Sequence, residues 1–152
     1  MPHDPQALAE LAGKTMYERD PASQALGMTL DVIGPGHARM RMRVREEMLN
    51  GHGTCHGGYI FMLADSAFAF ACNSHNANTV GAGCTIDYLS PGRRGDMLVA
   101  EASEQALSGK TGVYDVVVSD QDGRTIALFR GKSHRVAGHV AQVDEGDAHA
   151  AA

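Results

Sequence analysis

Tyr59-Ile60-Phe61-Met62-Leu63-Ala64-Asp65-Ser66-Ala67-Phe68-Ala69-Phe70-Ala71-Cys72-Asn73 is the stretch on which the fold turns. Apolar residues fill nearly every position, so a helix formed here is hydrophobic on most sides and belongs in a core, covered by other elements. Asn73-Ser74-His75-Asn76 ends it. Ahead of it, residues 50–58 hold Gly51, Gly53, Gly57 and Gly58 around His52, Cys55 and His56, too much glycine for a regular element.

Working outward, residues 6–18 predict a helix from the recurrence of Leu8, Leu11, Ala12 and Met16, with Pro5 suited to its first turn. Residues 27–33 predict a strand and Gly34-Pro35-Gly36 a turn. The next strand alternates cleanly: Ala38, Met40, Met42 and Val44 point one way, and Arg39, Arg41, Arg43 and Arg45 the other. An acidic chain makes that arginine row a solvated sheet face rather than a nucleic-acid surface. Four more strands are predicted at 80–88, 97–105, 112–119 and 125–136. Turns at Ser90-Pro91-Gly92, Ser108-Gly109-Lys110 and Asp120-Gln121-Asp122-Gly123 join them as an antiparallel meander. The expected fold class is α+β, a curved antiparallel sheet wrapped around one long central helix. Residues 1–136 are expected to form a single domain, and 137–152 a disordered tail.

The chain has 152 residues and a formal net charge of -5. That length buries roughly 70% of its unfolded surface around one core. The charge disfavours nucleic acid as a partner, and no apolar run approaches the roughly 20 residues that cross a bilayer. Met1-Pro2-His3-Asp4-Pro5 lacks the basic start and apolar stretch of a signal peptide. Cys55, Cys72 and Cys84 are odd in number and form no CxxC pair, so a reducing, cytoplasmic setting is expected.

Asp65 is the residue out of place in the apolar helix. A carboxylate buried there either finds donors, as a structural aspartate, or has its pKa raised, as suits a general base or nucleophile. His56-Gly57-Gly58 stands at the helix entrance. The unpaired N–H groups there suit an oxyanion, and glycine lets a substrate approach the backbone closely; the plain alternative is a loop needing positive φ. Eight residues separate Gly57 from Asp65, about 12 Å along one helix. A water and the carbonyl it attacks must lie within about 3.5 Å, so one substrate can use both groups only if two chains share the site. Other chemistries fit less well. His52, Cys55 and His56 are zinc-binding types, but the glycines deny them the helix that HExxH spacing requires. Cys55 beside His56 does not aim one side chain at the other. There is no GxSxG elbow, and Glu104 stands where a P-loop ending in Gly109-Lys110-Thr111 requires glycine.

The run Leu49-Asn50-Gly51-His52-Gly53-Thr54-Cys55-His56-Gly57-Gly58, followed by Leu63-Ala64-Asp65, resembles the hotdog-fold acyl-CoA thioesterases, most closely the phenylacetate-degradation type. Residues 84–92, 109–115 and 127–135 extend the likeness, which covers about 17–135. The resemblance implies a hotdog subunit, paired into dimers and dimers of dimers with shared active sites. It also implies hydrolysis of aromatic acyl-CoA thioesters such as phenylacetyl-CoA or hydroxyphenylacetyl-CoA. By the same likeness Asp65 is the general base or the nucleophile, the Gly57 N–H polarises the carbonyl, and His56 and Asn50 orient the thioester. Gly58, Ser66, Tyr88, Arg93, Gly109, Lys110, Thr111 and His134 are implied on the substrate and coenzyme A side. Coenzyme A belongs to the substrate; no separate cofactor, no metal, and no membrane or nucleic-acid partner is implied. A hotdog module that binds acyl-CoA without cleaving it is the alternative from another class, and a hotdog dehydratase or hydratase is a third.

Overall fold

A computed structural model describes residues 4–143; the first three residues and the tail expected beyond 143 lie outside them. Helix α1, Pro5–Glu18, starts where Asp4 accepts a hydrogen bond from the Ala7 N–H, with proline in its first turn. A short α2, Pro21–Ala25, repeats the device with Asp20 and Pro21. The Asp-Pro pair was its sequence signal, and no apolar period reveals a helix of five residues. Strands β1, Thr29–Gly34, and β2, His37–Arg43, then form a hairpin. In β2, Ala38, Met40 and Met42 are buried, while Arg39, Arg41 and Arg43 are exposed. The alternation is as expected, except that Arg45 lies beyond the strand and bonds the Ala25 carbonyl.

The long helix α3 spans Gly57–Cys72, two residues earlier than its apolar pattern predicts. Gly57 and Gly58 are helical because His56 caps them, so the irregular segment is shorter than expected. Four strands follow: β3 Ala77–Tyr88, β4 Met97–Ser108, β5 Thr111–Ser119 and β6 Thr125–His139. The last runs past the expected domain end at residue 136. Asn76 then holds the chain, accepting from the Ala141 N–H at 2.8 Å and donating to its carbonyl at 3.0 Å. Residues 137–141 are thus ordered, not part of a loose tail.

All pairings are antiparallel, in the order β1-β2-β4-β5-β6-β3. The expected meander holds for β4, β5 and β6. It fails for β3, which pairs with β6 at the sheet edge, so the connection through Ser90-Pro91-Gly92 is a crossing and not a hairpin. Register shifts in the β1–β2, β3–β6, β4–β5 and β5–β6 pairings bend the sheet. Into its concave face α3 buries Ile60, Leu63, Ala64, Ala67, Phe68, Phe70, Ala71 and Cys72. Each large side chain among them contributes about 1.5–3 kcal/mol of hydrophobic stabilisation. This is the hotdog arrangement that the resemblance implies.

Candidate active site

The entrance to α3 is built from local polar bonds. His56 Nδ1 accepts the Gly58 N–H at 2.9 Å, which places the ring proton on Nε2 and occupies the Gly58 donor. Among the described residues nothing accepts the Gly57 N–H, which stands free at the positive end of the helix. Tyr88 donates its hydroxyl to the Gly57 carbonyl at 3.0 Å. A Cβ on Gly57 would meet the Tyr88 ring at 3.1 Å. Of the four glycines in residues 50–58 only Gly53 has a positive φ, so close approach, not loop conformation, accounts for Gly57.

Asn50 organises the preceding turn. Its Oδ1 accepts from the His52 N–H at 2.9 Å, the Thr54 N–H at 3.2 Å and the Thr54 hydroxyl at 3.3 Å. Three donors on the oxygen leave the amide Nδ2 as the group free to meet a ligand. Asn50, Thr54, Gly57, Tyr88 and Pro91 line a cleft of about 430 Å³. Its wall is braced from outside by Arg124, which donates to the Pro91 carbonyl at 3.0 Å while its Nε bonds Asp120 at 3.2 Å. Arg124 was not singled out in the sequence, because nothing local links it to Pro91.

Asp65 opens into a different cleft, of about 510 Å³, lined by Phe61, Phe68, Val80, Gly81 and Cys84 among others. The carboxylate is exposed in the single chain, contrary to the burial that its apolar helix suggests. Crowding by those apolar neighbours still pushes its pKa up from the ordinary carboxylate value. Among the described residues no donor bonds it, so the structural-aspartate reading has no partner to rest on. Of the three phenylalanines on the helix, Phe61 and Phe68 line this cleft, while Phe70 is buried in the core beside Tyr17.

The coenzyme A candidates divide between the two ends of β3. Tyr88 lines the Gly57 cleft; exposed Arg93 does not line it but follows Pro91, which does, by two residues. Gly109 and Lys110 border a small cavity of about 120 Å³ that shares Cys72 and Thr79 with the Asp65 cleft. Thr111 is the register partner of His134 beside it. Ser66 joins neither group. Its hydroxyl lies 3.0 Å from that of Ser23, which itself donates to Asp20 at 2.7 Å, so Ser66 is the donor and its bond ties α3 to α2. Gly58 is likewise committed to His56. Thiol chemistry is disfavoured, because burial first and then Asp96 push the Cys55 thiol up to about 11, leaving it protonated near neutrality. No group of three or more metal-binding side chains converges among the described residues.

With this geometry in hand, comparison with known proteins is specific. The Thioesterase superfamily model matches residues 52–127. Acyl-coenzyme A thioesterase PaaI of Escherichia coli (strain K12) is 49% identical over 125 residues, covering 82% of this chain and 89% of that protein. The solved structure of the E. coli PaaI protein from the phenylacetic acid degradation operon superposes with a TM-score of 0.88 at 46% identity, over 90% of this chain and 99% of that one. A hypothetical thioesterase from Streptococcus pneumoniae TIGR4, solved with coenzyme A, has a TM-score of 0.71 at 25% identity, over 74% of this chain and 90% of that one. The chain therefore belongs to the thioesterase superfamily and is an acyl-CoA thioesterase of the PaaI type.

Proposed function

We propose that the protein hydrolyses aromatic acyl-CoA thioesters, such as phenylacetyl-CoA or hydroxyphenylacetyl-CoA, to the free acid and coenzyme A. Its place is in phenylacetate degradation in the cytoplasm, and its working form is a homo-oligomer, a dimer or a dimer of dimers. The Gly57 N–H and Asn50 Nδ2 of one subunit hold the thioester carbonyl and sulfur. The partner subunit's Asp65 takes a proton from water as its oxygen bonds to the carbonyl carbon. The carbon–sulfur bond then breaks, and the proton passes to the departing sulfur. Arg93, Lys110, Thr111 and His134 receive the phosphates and nucleotide of coenzyme A, with no metal and no further cofactor.

One observation carries this reading: the two half-sites lie toward opposite ends of β3, whose second edge has no strand paired to it among the described residues. Val80 and Tyr88 are eight residues apart, about 26 Å along the strand. A two-fold axis near Cys84, midway between them, would pair β3 with its copy and set Tyr88 against the partner subunit's Val80. The Gly57 cleft of each chain would then face the other chain's Asp65 cleft, as the helix distance requires. A thiol-release assay over a panel of acyl-CoAs tests the proposal. Phenylacetyl-CoA is expected among the best substrates; binding without thiol release from any member would establish the non-catalytic module instead.

A further inference from the structure

Phe68 lies in the floor of the Asp65 cleft, where it is only 2% exposed. Three elements fix its ring. Tyr114 and Phe129 flank it with centroids 5.7 Å away in each case. Gly131 of β6 lies so close that a Cβ there would sit 2.8 Å from two ring carbons, and on β3 a Cβ at Gly81 would come within 3.3 Å of a third. Neither glycine has a positive φ, so no turn explains them. What they share is the ring that fills their side-chain space.

We propose that Phe68, seated by Gly81 and Gly131, is the stop against which the acyl group ends, and that this trio selects a ring-sized acyl group over a long chain. The inference rests on the reading above, in which the acyl group enters the Asp65 cleft. Gly81 borders that cleft, so a side chain there shortens it directly. Gly131 does not border it; a side chain at 131 acts only by pushing the Phe68 ring off the sheet and into the cleft. Removing the ring has the opposite effect and deepens the cleft toward Tyr114 and Phe129.

The test measures kcat/KM of the full chain for butyryl-, phenylacetyl- and lauroyl-CoA. Gly81→Val and Gly131→Ala should each lower the phenylacetyl-to-butyryl ratio by about tenfold, the scale of a misfit of one or two methylenes. Phe68→Leu should raise the lauroyl-to-phenylacetyl ratio by a similar factor. In the Phe68→Leu background, Gly131→Ala should no longer alter either ratio, which a general loss of stability would not reproduce. Ratios within about twofold of the parent in folded variants would overturn the inference, as would an equal Gly131→Ala effect with and without the ring. Failure of the functional reading looks different, since the unaltered protein would then release no thiol from any of the three substrates.

Discussion

Substituting Gly131 by alanine should destabilise the protein by an amount that can be worked from its surroundings. The new Cβ would lie 2.8 Å from Cε1 and Cζ of Phe68 and 2.9 Å from Cδ1, so the ring must move. It cannot move freely, since Tyr114 and Phe129 hold it from two sides. Overpacking of this kind costs about 1–3 kcal/mol. The reduced freedom of the unfolded chain offsets about 0.4–1 kcal/mol of that. At the middle of both ranges the net loss is about 1.3 kcal/mol, or about 4 °C in Tm for a chain of this size. Gly51→Ala is the control: it lies outside β3 and its proposed interface, its φ is not positive, and nothing lies within 4 Å of its would-be Cβ. It should leave stability unchanged or slightly raised. Urea unfolding at one fixed protein concentration measures both, which removes the dependence of an oligomer's midpoint on concentration. Equal midpoints for Gly131→Ala and the parent, or an equal loss in the control, would refute the steric argument.

Asp65→Asn should abolish most thiol release while keeping fold and oligomer; near-normal turnover would sink the assigned role. The active form is the carboxylate and its pKa is raised, so kcat/KM should fall with decreasing pH above the region where an ordinary aspartate, near about 3.9, would place that limb. The same raised value means that ionised Asp65 opposes folding above its unfolded pKa. Asp65→Asn should therefore be at least as stable as the parent at pH 7 and lose any advantage in acid, as thermal melts across pH would show. His56→Ala should lose about 1 kcal/mol with the cap on Gly58, and His56→Asn should restore it, asparagine being a good N-cap. If activity returns with stability in the asparagine variant, the imidazole has no direct part in the reaction. Arg124→Ala should lower kcat/KM about fivefold through the loss of one hydrogen bond to the Pro91 carbonyl, with the change mainly in KM. An unchanged KM would show that the cleft wall holds without it.

Much of this chain is legible locally. The apolar run from Tyr59 specifies a buried helix, because no single face of it suits water. The Arg39 to Arg43 alternation specifies a half-buried strand, because side chains in a strand alternate sides. Asp65 and Gly57 stand out for chemical reasons, and their spacing alone argues for a shared site. The start of α3 and the role of Gly58 were not legible. They depend on the His56 ring turning back onto the Gly58 N–H, and a residue's name does not disclose its rotamer. Nor was the position of Ser66, which rests on Ser23 across 43 residues of chain.

The sequence by itself determined the two long helices and the six strands, the buried helix with its one acidic residue, and the glycine entrance, since each follows from periodicity or from the chemistry of neighbouring residues; the short α2 did not follow. Only the tertiary structure decided that β3 leaves its sequence neighbour β4 and pairs with β6 at the edge. The same holds for the separation of Asp65 and Gly57 into two clefts, and for Gly81 and Gly131 meeting on one phenylalanine ring. The physical reason is common to all three. Strand order and ring packing are set by contacts between residues far apart in the chain, whose competing pairings differ little in local preference and are resolved only when the whole core closes.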